Sequence, residues 1–283
     1  MTALSFGLLV ISAILHTSWN FLLKNIQDRF LAIWWAILIG SSVFLPLLFF
    51  SGLPNPAIWP WFLASVVVEI LYYSMLGLAY SIGDFSVVYP FARGSAPLFL
   101  LAWSHFFLGE ELTLVGSIGV GILILGLALI TSGAKATSNS ASKPAGVLVA
   151  LAVGLLISVY TAIDGYAVKQ TDVLGYGILL FFALPVFSFP VVYTHYGHQR
   201  WLSVITSQPF KISIVGVFSV AAYLLALFAY QTSVVGYSGS VREISVVFGA
   251  FAGWFFLKEQ LGRRRLAGSF AIFAALLLIG FWG

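Results

Sequence analysis

Residues 112–131 read LTLVGSIGVGILILGLALIT, twenty residues with no charge among them. A helix needs about 20 mostly apolar residues to cross the hydrocarbon core of a bilayer, so this stretch is long enough to span a membrane alone. Comparable runs recur on both sides of it, at 3–23, 31–51, 58–80, 86–107, 146–168, 174–194, 210–231, 236–257 and 265–282. The chain of 283 residues is 61% hydrophobic and 8% charged, whereas a soluble domain carries about a quarter charged residues. So few charges cannot cover a surface facing water. The expected fold is an all-α membrane protein of ten transmembrane helices.

The formal net charge of +4 does not point to nucleic acid, because the 13 basic residues are scattered. Their only cluster, Arg263-Arg264-Arg265, adjoins an apolar run, where lipid headgroups account for it. With no cysteine, disulfides, thiolate metal sites and iron-sulfur clusters are excluded. The first run lacks an A-x-A cleavage site and ends Trp19-Asn20-Phe21-Leu22-Leu23-Lys24; it reads as a retained helix, not a signal peptide.

Most breaks between runs are short, as antiparallel neighbours require, but the stretch from Thr131 to Pro144 is longer, polar and rich in Ser and Ala. It divides the chain into a first five-helix repeat (1–133), a linker (134–144) and a second five-helix repeat (145–283). The halves match each other. A shift of 149 pairs Arg93 with Arg242, Phe99 with Phe248, Phe106-Phe107-Leu108 with Phe255-Phe256-Leu257, Glu110 with Glu259 and Gly119 with Gly268. A shift of 150 sets Ala79-Tyr80 on Ala229-Tyr230, and one of 144 sets Thr17 on Thr161 and Asn20 on Asp164. An odd number of crossings per repeat inverts one copy relative to the other, an arrangement shared by many secondary transporters.

Several motifs then fall in order: His16-x-x-Trp19-Asn20-x-x-x-Lys24, Val88-Tyr89-Pro90-x-x-Arg93-Gly94-x-x-Pro97, Phe107-Leu108-Gly109-Glu110, and Leu257-x-Glu259 before the last run. The chain resembles, over nearly its whole length, the EamA-like family of the drug/metabolite transporter superfamily. The resemblance implies ten helices in two inverted repeats, a central cavity walled by both halves, alternating access, and export of amino acids or other metabolites. Related branches carry nucleotide sugars or phosphorylated sugars, and a basic residue of their phosphate-contacting helix corresponds in region and charge to Arg242. It also implies cytoplasmic termini. The charge bias opposes that: breaks after odd-numbered runs hold ten Lys/Arg and those after even-numbered runs only Lys169, which places the termini outside.

Ionisable residues inside membrane helices are costly and face a cavity or a partner. Six need an explanation: Glu69, Asp84, Arg93, Asp164, Arg242 and Glu243. Arg93 lies between Pro90 and Pro97 beside Gly94, and Arg242 follows Gly236 and Gly239. Interrupted helices at matching places in two repeats mark a midplane site, so these two arginines lead the candidates, with Pro90, Gly94, Pro97, Gly236 and Gly239 as hinges. A guanidinium grips carboxylate or phosphate bidentately, which makes the solute anionic or zwitterionic. The competing reading is that each Arg pairs with Glu69, Asp164 or Glu243 and only locks helices.

Ser12, His16, Asn20 and Lys24 recur every fourth residue and share a face with Trp19 beside it. Within this polar stripe His16 and Asn20 either line the cavity or bond between helices. Glu69 with Tyr72 and Tyr73, and Tyr160 with Asp164, make further polar faces; either carboxylate can carry a coupling proton or pair with an arginine. Tyr89, Tyr160, Tyr223 and Tyr230 are candidate lining residues. Glu110 and Glu259 precede helices and suit their positive ends. His195-x-x-His198 reads as loop, with no third metal ligand. No phosphate-binding loop, zincin motif or nucleophile elbow occurs, so neither cofactor nor metal is expected.

The chain is therefore expected to be a transporter of a small molecule in a bacterial plasma membrane, as monomer or homodimer among lipids, with a proton as coupling ion. The alternatives are a membrane-embedded enzyme, which needs a compact acid/base constellation, and a non-transporting membrane partner, which needs a larger soluble loop.

Overall fold

The computed structural model describes residues 1–23, 26, 28–82, 85–132, 144–245, 247–248, 251 and 263–282. All regular structure among them is helical. In chain order the helices are α1 (Ala3–Leu23), α2 (Arg29–Ser51), α3 (Trp59–Ile82), α4 (Phe85–Phe106), α5 (Leu114–Ser132), α6 (Pro144–Val168), α7 (Val173–Ser207), α8 (Pro209–Thr232), α9 (Val235–Val241) and α10 (Arg263–Trp282). By length and composition, six segments among the described residues can cross a membrane: α1, α2, Pro56–Leu76, Leu148–Val168, α7 and α8. Leu114–Leu129 and Leu266–Ile279 are shorter apolar stretches. The Asp84, Lys24 and Glu259 assignments and nearly all of the linker lie outside the described residues.

The surface is apolar where a soluble protein's is polar. Phe49, Phe50, Phe106, Leu114, Phe210 and Phe281 all stand outward, the apolar exterior that suits a lipid surround. The interior instead holds Glu69, Asp164 and Glu243 with several serines. Helix α10 lies along α5, α1 along α8, α6 against α3 and α4, and α2 against α8 and α7, while α9 rests on α4.

Without a hydrophobic force between helices in lipid, close approach through small residues does much of the packing. The α2–α8 crossing depends on it. A Cβ on Gly40 would overlap the Gly216 carbonyl, and one on Gly216 would overlap the Ala36 carbonyl. Because those obstacles are backbone, they cannot swing aside. Gly216→Val is expected to destabilise the protein by about 1–3 kcal/mol, read as a lower thermal midpoint in detergent.

Two expectations change. The segment around His195 and His198 is not a loop: α7 runs through it with one non-helical residue, Gly197 (φ 73°). The reason is packing. Beyond that bend Trp201 stacks on Trp35 at 4.4 Å and touches Trp34, Phe189 and Tyr193, while Trp35 Nε1 donates to the Trp201 carbonyl at 2.9 Å. Arg200 on the same piece is bonded to Asp28 across to the start of α2, and that bond holds the Asp28 carboxyl below its usual range. The helix carrying Arg93 is also unbroken, for α4 is continuous through Pro90 and Pro97. Each proline deletes one donor and leaves the rest of the ladder intact. Of the two arginine-bearing helices, it is the one in the second half that is interrupted among the described residues, where α9 tightens into a 3-10 turn at Arg242–Ile244.

Candidate functional site

The polar interior is assembled from α1, α3, α4, α6, α7, α8 and the turn after α9. Asp164 on α6 is fully buried and accepts from three hydroxyls: Ser65 Oγ on α3 at 2.5 Å, Tyr176 OH on α7 at 2.6 Å, and Tyr223 OH on α8. With so many donors from other helices its charge is satisfied without a cation.

The two arginines have different partners. Arg93 Nη1 lies 3.2 Å from Glu243 Oε1, and Arg93 Nη2 donates to His16 Nε2 at 3.1 Å, joining α4 to α1 and to the turn after α9. Arg242 donates from Nη1 to Tyr230 OH at 2.8 Å and lies over the rings of Tyr223 and Tyr230, 5.1 and 6.0 Å from their centroids. Among the described residues no carboxylate stands within ion-pair distance of Arg242. Its planar fork is thus held by aromatic faces, with N–H donors to spare.

Glu69 on α3 is 3% exposed and its Oε1 has no hydrogen-bond partner among the described residues. It stands within the electrostatic reach of Asp164 and Arg242. Tyr72 and Tyr73 follow it on α3, and Tyr72 packs on Tyr160 with centroids 5.6 Å apart. Tyr160 in turn neighbours Tyr223. A belt of tyrosines therefore encloses a guanidinium without an ion-pair partner among the described residues and a carboxylate with an idle oxygen; Oε2 of Glu243, in the pair with Arg93, is the other buried carboxylate oxygen without a described partner.

The structure brings His16, Arg93, Glu243, Arg242, Tyr230, Tyr160, Asp164 and Glu69 into this interior. Trp19 sets its ring edge-on to His16 at 5.0 Å, and its Nε1 is buried without a partner among the described residues. Asn20 is exposed and returns its amide to the His16 carbonyl at 2.7 Å. Tyr89 falls among residues whose side chains are not described, as do Pro90 and Gly94; their backbone is helical. Pro97, without an N–H, leaves the Arg93 carbonyl short of its helical donor. Gly236 and Gly239 are helical, and a Cβ on them would meet Ser104 and Leu100 of α4 respectively, so their smallness lets α9 lie against α4. Ser65 and Tyr176 were not singled out in the sequence. Ser65 sits four residues before Glu69 on one face of α3, a usable signal; Tyr176 offers none.

Glu110 does occupy a helix start, but that of α9 in the other half. Its carboxylate accepts from the backbone N–H of Val235 at 2.8 Å and of Gly236 at 3.4 Å, from Ser104, and from Lys169 Nζ at 2.5 Å. Beside it opens a pocket of about 660 Å³ lined by Met1, Thr2, Glu110, Lys169, Gln231 and Val234.

The model of the EamA-like transporter family matches the chain twice, over residues 4–132 and 144–281. Twenty-eight chains of solved structures are also similar. One, described as "Crystal structure of protein", has a TM-score of 0.77 at 16% identity, covering 99% of this chain and 98% of its own; at that identity it speaks for the fold alone. No curated protein matches the sequence.

Proposed function

Because the chain belongs to the EamA-like transporter family, we propose that it exports a small polar metabolite bearing a carboxylate, phosphate or phosphonate group, as a secondary transporter working by alternating access. The observation that carries this reading is Arg242. A guanidinium held over two tyrosine rings, with no carboxylate among the described residues within ion-pair distance, is costly in a membrane interior unless a solute supplies the anion.

The proposed architecture is ten crossings in two inverted repeats, with the cavity between them. Packing supports the repeats. Exchanging α1 to α5 for α6 to α10 turns the α1–α8 pair into α6–α3, and returns α2–α7 and α5–α10 to themselves. Solute meets Arg242 with His16 and the tyrosines, and the halves rock about the 3-10 turn and the α4–α9 contact. The pocket beside Glu110 is then one mouth, and the ties from Glu110 to Lys169 and α9 close the halves there. The coupling ion is a proton and the site of action a bacterial plasma membrane.

The test is reconstitution. Liposomes holding the purified protein should accumulate a labelled anionic or zwitterionic metabolite against protein-free controls. Chemical turnover in detergent without solute movement would instead favour a membrane-embedded enzyme.

A further inference from the structure

Charges in the site do not balance internally. Among its described residues, Arg93 is matched by Glu243, whose Oε1 it holds while Oε2 stays without a described partner, and Asp164 by three hydroxyl donors. Arg242 and Glu69 are left, and they are not paired with each other: Arg242 is tied to Tyr230 and stacked on Tyr223, while Oε1 of Glu69 bonds to nothing described. Two opposite charges kept apart in a low-dielectric interior forgo a large mutual attraction. A buried carboxylate oxygen without a donor is costly in addition. Proteins retain such an arrangement where a ligand completes it, and the complement of a separated cation and anion is a molecule carrying both signs.

We propose that Glu69 is a specificity-determining residue that receives the positively charged nitrogen of the solute whose anionic group Arg242 holds, so that the site selects zwitterions over simple anions. This rests on the transport reading above, and adds to it a second contact and a charge rule. Glu69 projects from α3 in the first repeat and Arg242 from the turn after α9 in the second, so one solute touching both bridges the halves. That is the geometry a rocking transporter needs if binding is to bias the position of one half against the other. Tyr72, Tyr73 and Tyr160 between them offer aromatic faces that suit a cationic nitrogen. Because Glu69 is 3% exposed, it is reached in a conformation more open than this one.

The experiment compares wild type, Glu69→Gln and Arg242→Ala of the full chain in detergent. The probes are the common amino acids, their N-acetyl forms, which lack the cation, and the corresponding amines, which lack the anion. In the absence of any probe Glu69→Gln should leave the thermal midpoint level or raise it, since the buried charge is removed while an amide of the same shape stays; a clear fall would mean that the carboxylate is paired structurally and would overturn the proposal. With probes, at least one amino acid should stabilise the wild type at concentrations at which its N-acetyl form and amine do not. Glu69→Gln should weaken that amino acid by on the order of tenfold to a hundredfold, the worth of a charge-assisted hydrogen bond, and bring it level with its N-acetyl form. N-acetyl forms binding as well as their parents, or Glu69→Gln leaving the preference intact, would overturn the role of Glu69 while leaving Arg242 as the anion site. Probes insensitive to Arg242→Ala, or no stabilisation by any of them, would remove both. Transport driven by a proton gradient and lost in Glu69→Gln, with parents and N-acetyl forms bound alike, would make Glu69 a proton site and refute the proposal.

Discussion

Asp164→Ala is expected to cost about 3–5 kcal/mol, the range seen when one member of a buried charged network is removed, and so to leave little folded protein in detergent. The carboxylate joins α6 to α3, α7 and α8 through Ser65, Tyr176 and Tyr223. Ser65 can turn back to a carbonyl of its own helix, but the two phenols have no such recourse. Tyr176 is fully buried and Tyr223 nearly so, and each orphaned hydroxyl adds about 1–3 kcal/mol. Tyr223 also forms the face under Arg242, so the damage spreads to the proposed solute site. The check is the thermal midpoint together with the monodisperse fraction on size exclusion; Asp164→Asn, which keeps an acceptor, should fall between the two. A midpoint within a degree of wild type would mean that the network is not what fixes these four helices.

Arg242→Ala should do the opposite: abolish function with little loss of stability. The mutation removes a partly buried charge that has no ion-pair partner among the described residues, and orphans the Tyr230 hydroxyl. Transport of an anionic or zwitterionic solute should fall by at least about a hundredfold, as expected when a bidentate charged contact is lost, while the midpoint without solute stays level or rises. Such a pairing of lost function with retained stability is the mark of a binding residue. Arg242→Lys should not restore transport, because an ammonium is a point donor without the planar fork and does not stack on Tyr223 and Tyr230 in the same way. The readout is uptake into liposomes with equal amounts of each variant.

The membrane class was legible from runs such as 210–231, which the structure returns as the spanning helix Pro209–Thr232, since spanning length and scarcity of charge are properties of the sequence alone; the run 112–131 returns as the shorter apolar stretch Leu114–Leu129. The matching of Arg93 with Arg242 was legible too, and Glu243 stood among the partners offered for them, but not which of the two it meets. Glu243 adjoins Arg242 in the chain, yet neighbours on a helix point about 100° apart, and Glu243 reaches Arg93 across the molecule instead. Period-four spacing put His16 and Asn20 on one face; it could not tell that the first meets Arg93 while the second folds back onto its own helix. Glu110 was rightly associated with a helix end, although sequence proximity suggested α5 and the long-range pairing of the halves delivers it to α9. The loop reading of His195-x-x-His198 failed because the cohesion there is an aromatic cluster in which Trp201, Phe189 and Tyr193 of α7 meet Trp34 and Trp35 of α2. Tyr176, one of Asp164's three donors, is a single polar tip in an apolar helix, and no spacing announces it.

The most direct test of the central claim is a thermal-shift screen of the detergent-purified protein against amino acids, phosphorylated and phosphonate metabolites and organic cations, run in parallel on Arg242→Ala. The account predicts that a solute with an anionic group raises the midpoint of the wild type and leaves that of Arg242→Ala unmoved. Stabilisation by cations alone, or by an anion equally in both proteins, would contradict it and make Arg242 a structural residue.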